Sequence, residues 1–234
     1  MVDFHSHILP EIDDGARDVS ESLDMVEESK AQGVDIIVAT PHFYADEDDP
    51  ISFVQRRQEA YNKLIAAMRY NSDDYPKIFL GAEILYFPGM SDCDELSLLK
   101  IEKSDVILIE PPMLPWSDFI LDEIESVGRN LRCIPVIAHI DRYMQILGDY
   151  NLIDKLSGRK VLVQCNASFF MKPHMKAYAA EYISDSRVHL IGSDCHNMSN
   201  RAPNLLFAQQ EAYSWGLKDE FDRLGKNARY ILKT

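Results

Sequence analysis

The sequence is poor in basic residues and in long uncharged apolar stretches. Its 234 residues include 24 Lys and Arg against 38 Asp and Glu, which gives a formal net charge of −14. Binding to nucleic-acid backbones needs a basic surface, so this composition argues against a nucleic-acid partner and, for the same reason, against adhesion to anionic lipid. No segment reaches the roughly 18 uncharged apolar residues that a membrane span requires. We therefore expect neither nucleic-acid binding nor membrane insertion.

Cysteine is also scarce, and the chain opens without a secretion signal. The four cysteines are widely separated and form no C-x-x-C pair, and the opening segment MVDFH has neither a basic nor an apolar region. This pattern fits reduced thiols and an absence of export. The length allows a large buried core, and the sequence shows no repeat or linker. We therefore predict a cytoplasmic protein with one domain over residues 1–234.

Short β-branched runs alternate with longer amphipathic stretches. The predicted strands are Met1–Phe4, Val34–Ala39, Lys77–Gly81, Val106–Ile109, Cys133–Ala138, Lys160–Gln164 and His189–Gly192. The predicted helices are Glu21–Gln32 (with Ser20 as its N-cap), Ile51–Tyr70, Asp118–Asn130, Tyr143–Leu156, Met175–Ser184 and Leu205–Trp215. Strands this apolar suit a parallel sheet that is buried on both faces. The alternation is typical of a βα barrel or a doubly wound sheet.

Side chains of the kind that bind metals follow these strands. They occur in the segments His5-Ser6-His7, Thr40-Pro41-His42, Ala82-Glu83, Glu110-Pro111-Pro112, His139 to Asp141-Arg142, Asn166, and Ser193-Asp194-Cys195-His196. In a βα barrel the carboxyl ends of all strands open onto one face. Imidazole and carboxylate groups bind zinc, manganese or iron, and a bridging carboxylate lets several ions share one cavity. One histidine after a strand is usually structural, but the repeated pattern predicts a metal cluster.

At this point the sequence resembles a known superfamily. The opening His5-Ser6-His7 followed by ILPEIDDG resembles that of the PHP (polymerase and histidinol phosphatase) superfamily, and more closely that of the CpsB/CapC-type bacterial tyrosine-protein phosphatases. Further motifs follow in the order of that family: ATPH (39–42), GAE (81–83), IE (109–110), AHIDR (138–142), QCNA (164–167) and SDCHN (193–197). The resemblance extends over roughly residues 2–203.

The resemblance implies an α/β fold, a distorted (β/α)7 TIM-like barrel of the PHP type, with two or three metal ions. It implies manganese first, with iron, zinc, cobalt and magnesium as alternatives. By similarity, one ion is held by His5, His7, Glu83 and Asp194. A second shares Glu83 and adds Glu110 and His139, and a third uses His42 and His196, with Asp14 as a further candidate.

The activity implied is hydrolysis of phosphotyrosine in proteins. Metal ions can supply hydroxide at neutral pH and can neutralise the phosphoryl oxygens. Arg142 and Arg201 match the family's phosphate-contacting arginines, whose planar guanidinium groups suit a phosphoryl group. His42 and Asp14 are the candidates for a general acid. The implied partner is a bacterial tyrosine autokinase that controls capsule or exopolysaccharide synthesis, while the oligomeric state stays open.

The sequence leaves four other interpretations to compare. The protein could hydrolyse a small phosphomonoester such as histidinol phosphate, or it could bind phosphotyrosine without cleaving it. A polymerase-associated nuclease module is disfavoured because the chain lacks appended domains and a basic surface. Cys195 and Arg201 also satisfy the C-x5-R pattern of thiol-based tyrosine phosphatases, but the segment lacks glycine, and Asp194 opposes formation of a thiolate.

Overall fold

A computed structural model describes residues 1–68 and 74–234, in which parallel strands alternate with helices. The strands are β1 Val2–Ser6, β2 Ile36–Ala39, β3 His42–Phe43, β4 Lys77–Leu80, β5 Glu83–Leu85, β6 Val106–Glu110, β7 Ile134–Ile137, β8 Leu162–Asn166 and β9 Leu190–Gly192. The α-helices are α1 Val19–Ala31, α2 Pro50–Ala67, α3 Asp118–Asn130, α4 Ile140–Leu147, α5 Ser168–Met171, α6 Lys176–Ser184, α7 Leu205–Ser214 and α8 Lys218–Leu232. None of these helices is long and apolar enough to cross a membrane.

The strands form two parallel ladders. One has the order β1-β2-β4 and the other β3-β5-β6-β7-β8-β9. Two of the predicted strands are followed by a second short strand. After Thr40-Pro41 the chain continues from β2 into β3, and after Gly81-Ala82 it continues from β4 into β5. Both short strands belong to the other ladder. Pro41 has no N–H to donate to a ladder. At Gly81 an added Cβ would lie 2.8 Å from Ile101 Cγ1, so the close approach at this break favours glycine.

The first and last strands lie against each other. Asp194 N–H donates to the His5 carbonyl at 2.8 Å, and His7 N–H donates to the Cys195 carbonyl at 2.9 Å. Ser6 and Cys195 form an isolated parallel bridge. These bonds join the segment after β9 to β1, so the sheet is curled. The mixed α/β class and the parallel sheet are confirmed, whereas the ladders do not form one uninterrupted barrel in the part of the chain that is described.

Alternate residues of the strands enter two apolar cores. Along β6, for example, Val106 and Leu108 pack into an inner core, while Ile107 and Ile109 face the helices. The inner core draws residues from both ladders and is completed by α8 through Ala228 and Leu232. Both faces of the strands are therefore buried, as their apolar sequences predict.

Several predicted helix boundaries differ from the observed ones. Helix α1 begins earlier than predicted, because Asp18, not Ser20, is the N-cap, and its side chain accepts a hydrogen bond from Glu21 N–H at 2.9 Å. The predicted helix Tyr143–Leu156 divides into α4 and a 3-10 turn, Leu152–Leu156, because Gly148 adopts a left-handed conformation with φ of 63°. The predicted end of α2 at Tyr70 lies outside the described residues. Helix α8 was not predicted.

Candidate metal centre

The residues singled out as metal ligands lie together at the carboxyl ends of the strands. His5 lies in β1 and Glu110 ends β6. His42 and Glu83 follow the carboxyl ends of β2 and β4, as the first residues of the short strands β3 and β5. The other candidates occupy the segments that follow β1, β7 and β9: His7, Asp14, His139, Asp194 and His196. All of them are buried except His42, which is half-buried, and Asp14, which is exposed.

Glu83 is at the centre of this cluster. Its Oε2 atom lies 3.0 Å from His5 Nε2 and 3.2 Å from His7 Nε2. The same oxygen is 3.2 Å from His42 Nδ1, and Oε1 is 2.8 Å from His139 Nε2. Both oxygens of one buried carboxylate thus face imidazole nitrogens. This arrangement suits a carboxylate that is shared between metal ions.

Asp194, which follows the last strand, approaches the imidazoles of His5 and His7. Its Oδ1 atom lies 3.7 Å from His5 Nε2 and 3.5 Å from His7 Nε2. These two ring nitrogens are themselves only 3.1 Å apart. The nitrogens and carboxylate oxygens therefore converge on one small volume. Convergence of this kind is typical of a cation site, because imidazole and carboxylate donors face a shared positive charge.

Ligand-type atoms that lie within 4.8 Å of one another form three groups: His5, His7, Glu83, Asp194; then His42, Glu83, Glu110; and then His7, Asp14, His42, His196. The first group has the four members that the resemblance implies for one ion. The second contains His42 where His139 is implied, although His139 Nε2 lies 3.4 Å from Glu110 Oε1. The third group contains the three residues that the resemblance implies for the third ion, together with His7.

Three buried ring nitrogens make no hydrogen bond in the described part of the chain. They are His42 Nδ1, His139 Nδ1 and His196 Nε2, and His42 and His196 belong to these groups. An unpartnered polar atom in a protein interior costs free energy, so it usually has a role. An imidazole nitrogen free of hydrogen bonds can donate its lone pair to a metal. The residues present therefore fit a bound cation.

The electrostatics of the cluster favour positive charge. Burial opposes a charged His7, yet Asp13 and Glu83 outweigh it and raise the pKa of His7 to about 10. In the same way, Glu110 and Glu83 overcome burial and raise the pKa of His139 to about 10. His196 differs: burial and the neighbouring His7 lower its pKa to about 3. The carboxylates thus create a field that attracts either protons or metal ions.

Asp13 supports two of the histidines, and its role was missed at the level of sequence. Its Oδ2 atom lies 2.7 Å from His7 Nδ1 and accepts a hydrogen bond from His42 N–H at 2.9 Å. A carboxylate bonded to the far nitrogen of an imidazole fixes the ring and increases its basicity as a ligand. The next-but-one residue, Gly15, has no room for a Cβ, which would lie 2.3 Å from the His7 carbonyl oxygen. In the sequence, the segment Asp13-Asp14-Gly15 is the signal that could have indicated the supporting role of Asp13.

Gln164 and Asn166 support the cluster from β8. Gln164 Oε1 lies 3.3 Å from His5 Nδ1 and accepts the His139 N–H at 2.7 Å. Asn166 donates its side-chain amide to Asp194 Oδ2 at 2.9 Å. These contacts orient three candidate ligands. The sequence motif includes both residues, but local sequence does not reveal which side chains they contact.

His139 and Asp194 have strained backbones. His139 has φ of 30° and Asp194 has φ of 54°, the left-handed region that favours glycine. Each residue comes two positions after the last residue of its strand, which is β7 for His139 and β9 for Asp194. Such strain is found where the surrounding structure holds a functional side chain in place. The backbone geometry is therefore consistent with functional constraint at both positions.

The two arginines adjoin opposite carboxylates of the cluster. Arg201 donates from Nη2 to Asp194 Oδ1 at 2.8 Å, and Arg142 Nη1 lies 3.7 Å from Glu110 Oε1. Their side chains remain 33% and 39% exposed, respectively, so each is accessible to a molecule that enters the site. A guanidinium group has five N–H donors, most of which these contacts leave free.

Cys195 is not placed to act as a nucleophile. Its side chain is buried, and this burial raises the pKa of the thiol well above its usual range. The segment from Cys195 to Arg201 is folded back by a hydrogen bond from His196 N–H to the Arg201 carbonyl at 2.8 Å. A reactive cysteine needs an accessible, electropositive setting that stabilises a thiolate. The geometry thus supports a metal site at this segment.

The chain is similar to known proteins over its whole length. The chain is 30% identical over 249 residues to the tyrosine-protein phosphatase YwqE of Bacillus subtilis, covering 100% of this chain and 92% of that protein. It is 28% identical over 246 residues to the tyrosine-protein phosphatase CpsB of Streptococcus agalactiae serotype III, covering 100% and 98%.

A solved structure has the same fold. It belongs to work on YwqE from Bacillus subtilis and CpsB from Streptococcus pneumoniae, described as metal-dependent tyrosine phosphatases. It matches 100% of this chain and 94% of its own with a TM-score of 0.83 at 24% identity. A family model described as "Capsular polysaccharide synthesis, CpsB/CapC" matches residues 1–233. The chain therefore belongs to the CpsB/CapC family.

Proposed function

We propose that this protein is a metal-dependent phosphatase that removes phosphate from phosphotyrosine in proteins. The observation that carries the proposal is the buried cluster around Glu83, which is bordered by Arg142 and Arg201. The relatives named above, which are tyrosine-protein phosphatases, support the same activity. The accessible arginines suit a negatively charged phosphoryl group, as would the divalent cations that the cluster can hold.

We assign nine residues as ligands for two or three ions. The first ion would be held by His5, His7, Glu83 and Asp194, and the second by Glu83, Glu110 and His139. The third would be held by His42, His196 and Asp14, with His7 close enough to join. Imidazole and carboxylate ligands accept several divalent metals. We take manganese as the resident metal, with iron, zinc, cobalt and magnesium as alternatives.

The protein side chains would bind and orient the substrate. Bound divalent ions lower the pKa of water and neutralise charge on phosphoryl oxygens. Arg142 and Arg201 would donate their free N–H groups to the phosphate and fix its orientation. Asp14 lies at the exposed edge, with Oδ1 3.5 Å from His42 Nε2 and 3.3 Å from His196 Nε2. Asp14 or His42 would deliver a proton to the departing tyrosyl oxygen.

The family description, capsular polysaccharide synthesis, supports a role for the proposed activity in that process. We infer that the substrate is a phosphotyrosine segment of a bacterial tyrosine autokinase and that the reaction takes place in the cytoplasm. We further infer that the chain is one domain, residues 1–234, built as a distorted barrel of seven βα units. The inner core that both ladders share and the contact between β1 and the end of β9 support that architecture.

The direct test is phosphate release from a phosphotyrosyl peptide by chelator-stripped protein, before and after manganese is restored. We expect activity to disappear with the metal and to return with it. Glu83→Gln should lower the activity about 100-fold or more, since loss of even a supporting contact costs about 10- to 100-fold. Activity that is indifferent to chelation would contradict the proposal. Faster hydrolysis of histidinol phosphate would indicate a small-molecule enzyme, and tight peptide binding without turnover would indicate a regulator.

A further inference from the structure

A cavity of about 380 Å³ opens beside the Asp194 edge of the metal cluster. Its lining includes both arginines, together with Gln145, Lys172 and Asn166. Three cationic side chains in one cavity contrast with a chain whose formal net charge is −14. The volume lies at the lower end of the roughly 300–1,000 Å³ range of small-molecule sites. The cavity can therefore hold more of a substrate than its phosphoryl group.

Lys172 differs from the two arginines in its partners. Arg142 and Arg201 adjoin Glu110 and Asp194, as described above. The half-buried Lys172 instead donates from Nζ to Gln145 Oε1 at 2.7 Å, and among the described residues no carboxylate lies within ion-pair distance of it. Its positive charge is thus held in place by a neutral amide. A carboxylate that entered the cavity would find an ammonium group without an ion pair, although this ammonium also lowers the pKa of the nearby buried Asp141.

The acidic side chains that also line this cavity are already hydrogen-bonded. Asp141 is buried, and its Oδ1 accepts the Asn166 N–H at 2.8 Å. Asp194 accepts hydrogen bonds from both Arg201 and Asn166. These carboxylates therefore have fixed partners among neighbouring groups. The ammonium of Lys172 is the charged group best placed to bind a further anion.

A second cavity, of about 400 Å³, at the His42 edge of the cluster has the opposite character. Its lining contains four carboxylates, those of Asp13, Asp14, Glu47 and Asp48. Its one arginine, Arg56, donates from Nε to Asp48 at 3.1 Å. An acidic side chain of a substrate would be repelled there and attracted to the Lys172 cavity. The two cavities can therefore discriminate between residues that flank the phosphorylated one.

We propose that the Lys172 cavity binds an aspartate or glutamate side chain of the substrate close to its phosphotyrosine. This inference rests on the proposed function, because it takes the phosphoryl group to lie at the metal cluster. Lys172 Nζ would donate to the incoming carboxylate, and the Gln145 amide would keep the ammonium directed into the cavity. Lys172 would thus determine which residue is preferred next to the phosphotyrosine, while the arginines hold the phosphate.

The test compares phosphotyrosyl peptides that carry glutamate or glutamine at single positions, two before and two after the phosphotyrosine. For the manganese-loaded wild type we expect glutamate to raise kcat/KM about 3- to 10-fold at the favoured position, mainly through KM, as fits a charged hydrogen bond in a half-buried site. In Lys172→Met the ratio should fall to about 1, and Lys172→Glu should prefer lysine at that position. Lys218→Met, which removes an exposed lysine of α8 that pairs with Asp222, should keep the wild-type ratio.

Two results would overturn the proposal: a wild type without preference for glutamate, or a preference that persists in Lys172→Met. If the wild type hydrolyses no phosphotyrosyl peptide, the proposed function fails separately. The inference then still has a readout. Dissociation constants can be measured for the same peptides made with a non-hydrolysable phosphonate. The wild type should bind the glutamate peptide more tightly than the glutamine peptide, and Lys172→Met should not. Equal dissociation constants of the glutamate peptide for the wild type and Lys172→Met would contradict the inference.

Discussion

At the residue scale, the candidate centre depends on side chains that hold the ligands as much as on the ligands themselves. Asp13 bonds to the far nitrogen of His7, and Gln164 contacts both His5 and the backbone of His139. Partners of this kind fix ring orientation, and their removal typically lowers metal affinity 10- to 100-fold. The strand-end pattern indicated the candidate ligands other than Asp14, because each of these follows an apolar run. It could not predict Asp13 or Gln164 as supports, since those contacts join distant segments.

Replacing Asp13 therefore gives a test of the supporting role. We expect Asp13→Asn to weaken manganese binding about 10- to 100-fold, because the amide cannot stabilise His7 as the carboxylate does. Isothermal titration of metal-free protein measures the change. Asp24→Asn, an equal change of charge at an exposed position of α1, should bind like the wild type. Equal affinities for Asp13→Asn and Asp24→Asn would show that Asp13 does not support the site.

At the element scale, the ends of the strands are held together by close backbone approaches. A Cβ at Gly192, the last residue of β9, would lie 2.4 Å from His5 Cβ. The approach of β9 to β1 thus requires glycine there and sets the distance between Asp194 and His5.

Helix α8 is an element that the sequence analysis did not predict. Its apolar residues Phe221, Leu224, Ala228 and Leu232 follow a helical spacing that could have predicted it.

Glycine substitutions test the β1–β9 contact. We expect Gly192→Ala to destabilise the fold by about 2 kcal/mol or more, since the added methyl group overlaps a neighbouring side chain and backbone. Gly225→Ala, in helix α8, should be neutral or stabilising by up to about 1 kcal/mol, because its Cβ would meet no atom within 4 Å. Chemical denaturation gives both values. Equal stabilities for the two variants would argue against a tight contact.

The start of α1 gives a second prediction at this scale. Ser20 was the N-cap expected from sequence, but Asp18 makes the capping hydrogen bond. Both residues are acceptable caps, so only the path of the backbone decides between them. We expect Asp18→Ala to cost about 1 kcal/mol of stability and Ser20→Ala, at an exposed position, to cost much less. A larger loss for Ser20→Ala would contradict the observed helix start.

At the scale of the whole molecule, a curled parallel sheet gathers histidines and carboxylates from both ends of the chain. The sequence predicted the α/β class because its strands are strongly apolar, and the family resemblance supplied the grouping of ligands. Breaks such as those at Pro41 and Gly148 were not predicted, because they depend on how neighbouring strands and helices meet. The candidate ligands come from segments that are far apart in the sequence, so they converge only when the whole fold is formed. Metal binding should therefore stabilise the native state as a unit.

That coupling leads to a prediction about unfolding. We expect manganese at about 100 times its dissociation constant to stabilise the protein by about 2.7 kcal/mol per independent site, seen as a higher Tm in calorimetry. Glu83→Gln should lose most of this increase, because its carboxylate is shared by two of the ligand groups. A Tm that manganese leaves unchanged in the wild type would contradict metal binding by the folded state.

The most direct test of the central claim is anomalous diffraction from crystals grown with manganese. We expect two or three anomalous peaks inside the cluster, one of them bound by His5, His7, Glu83 and Asp194, and at least two of them within bonding distance of Glu83. Absence of a peak beside Glu83 at saturating manganese, or ions bound only elsewhere, would contradict the account.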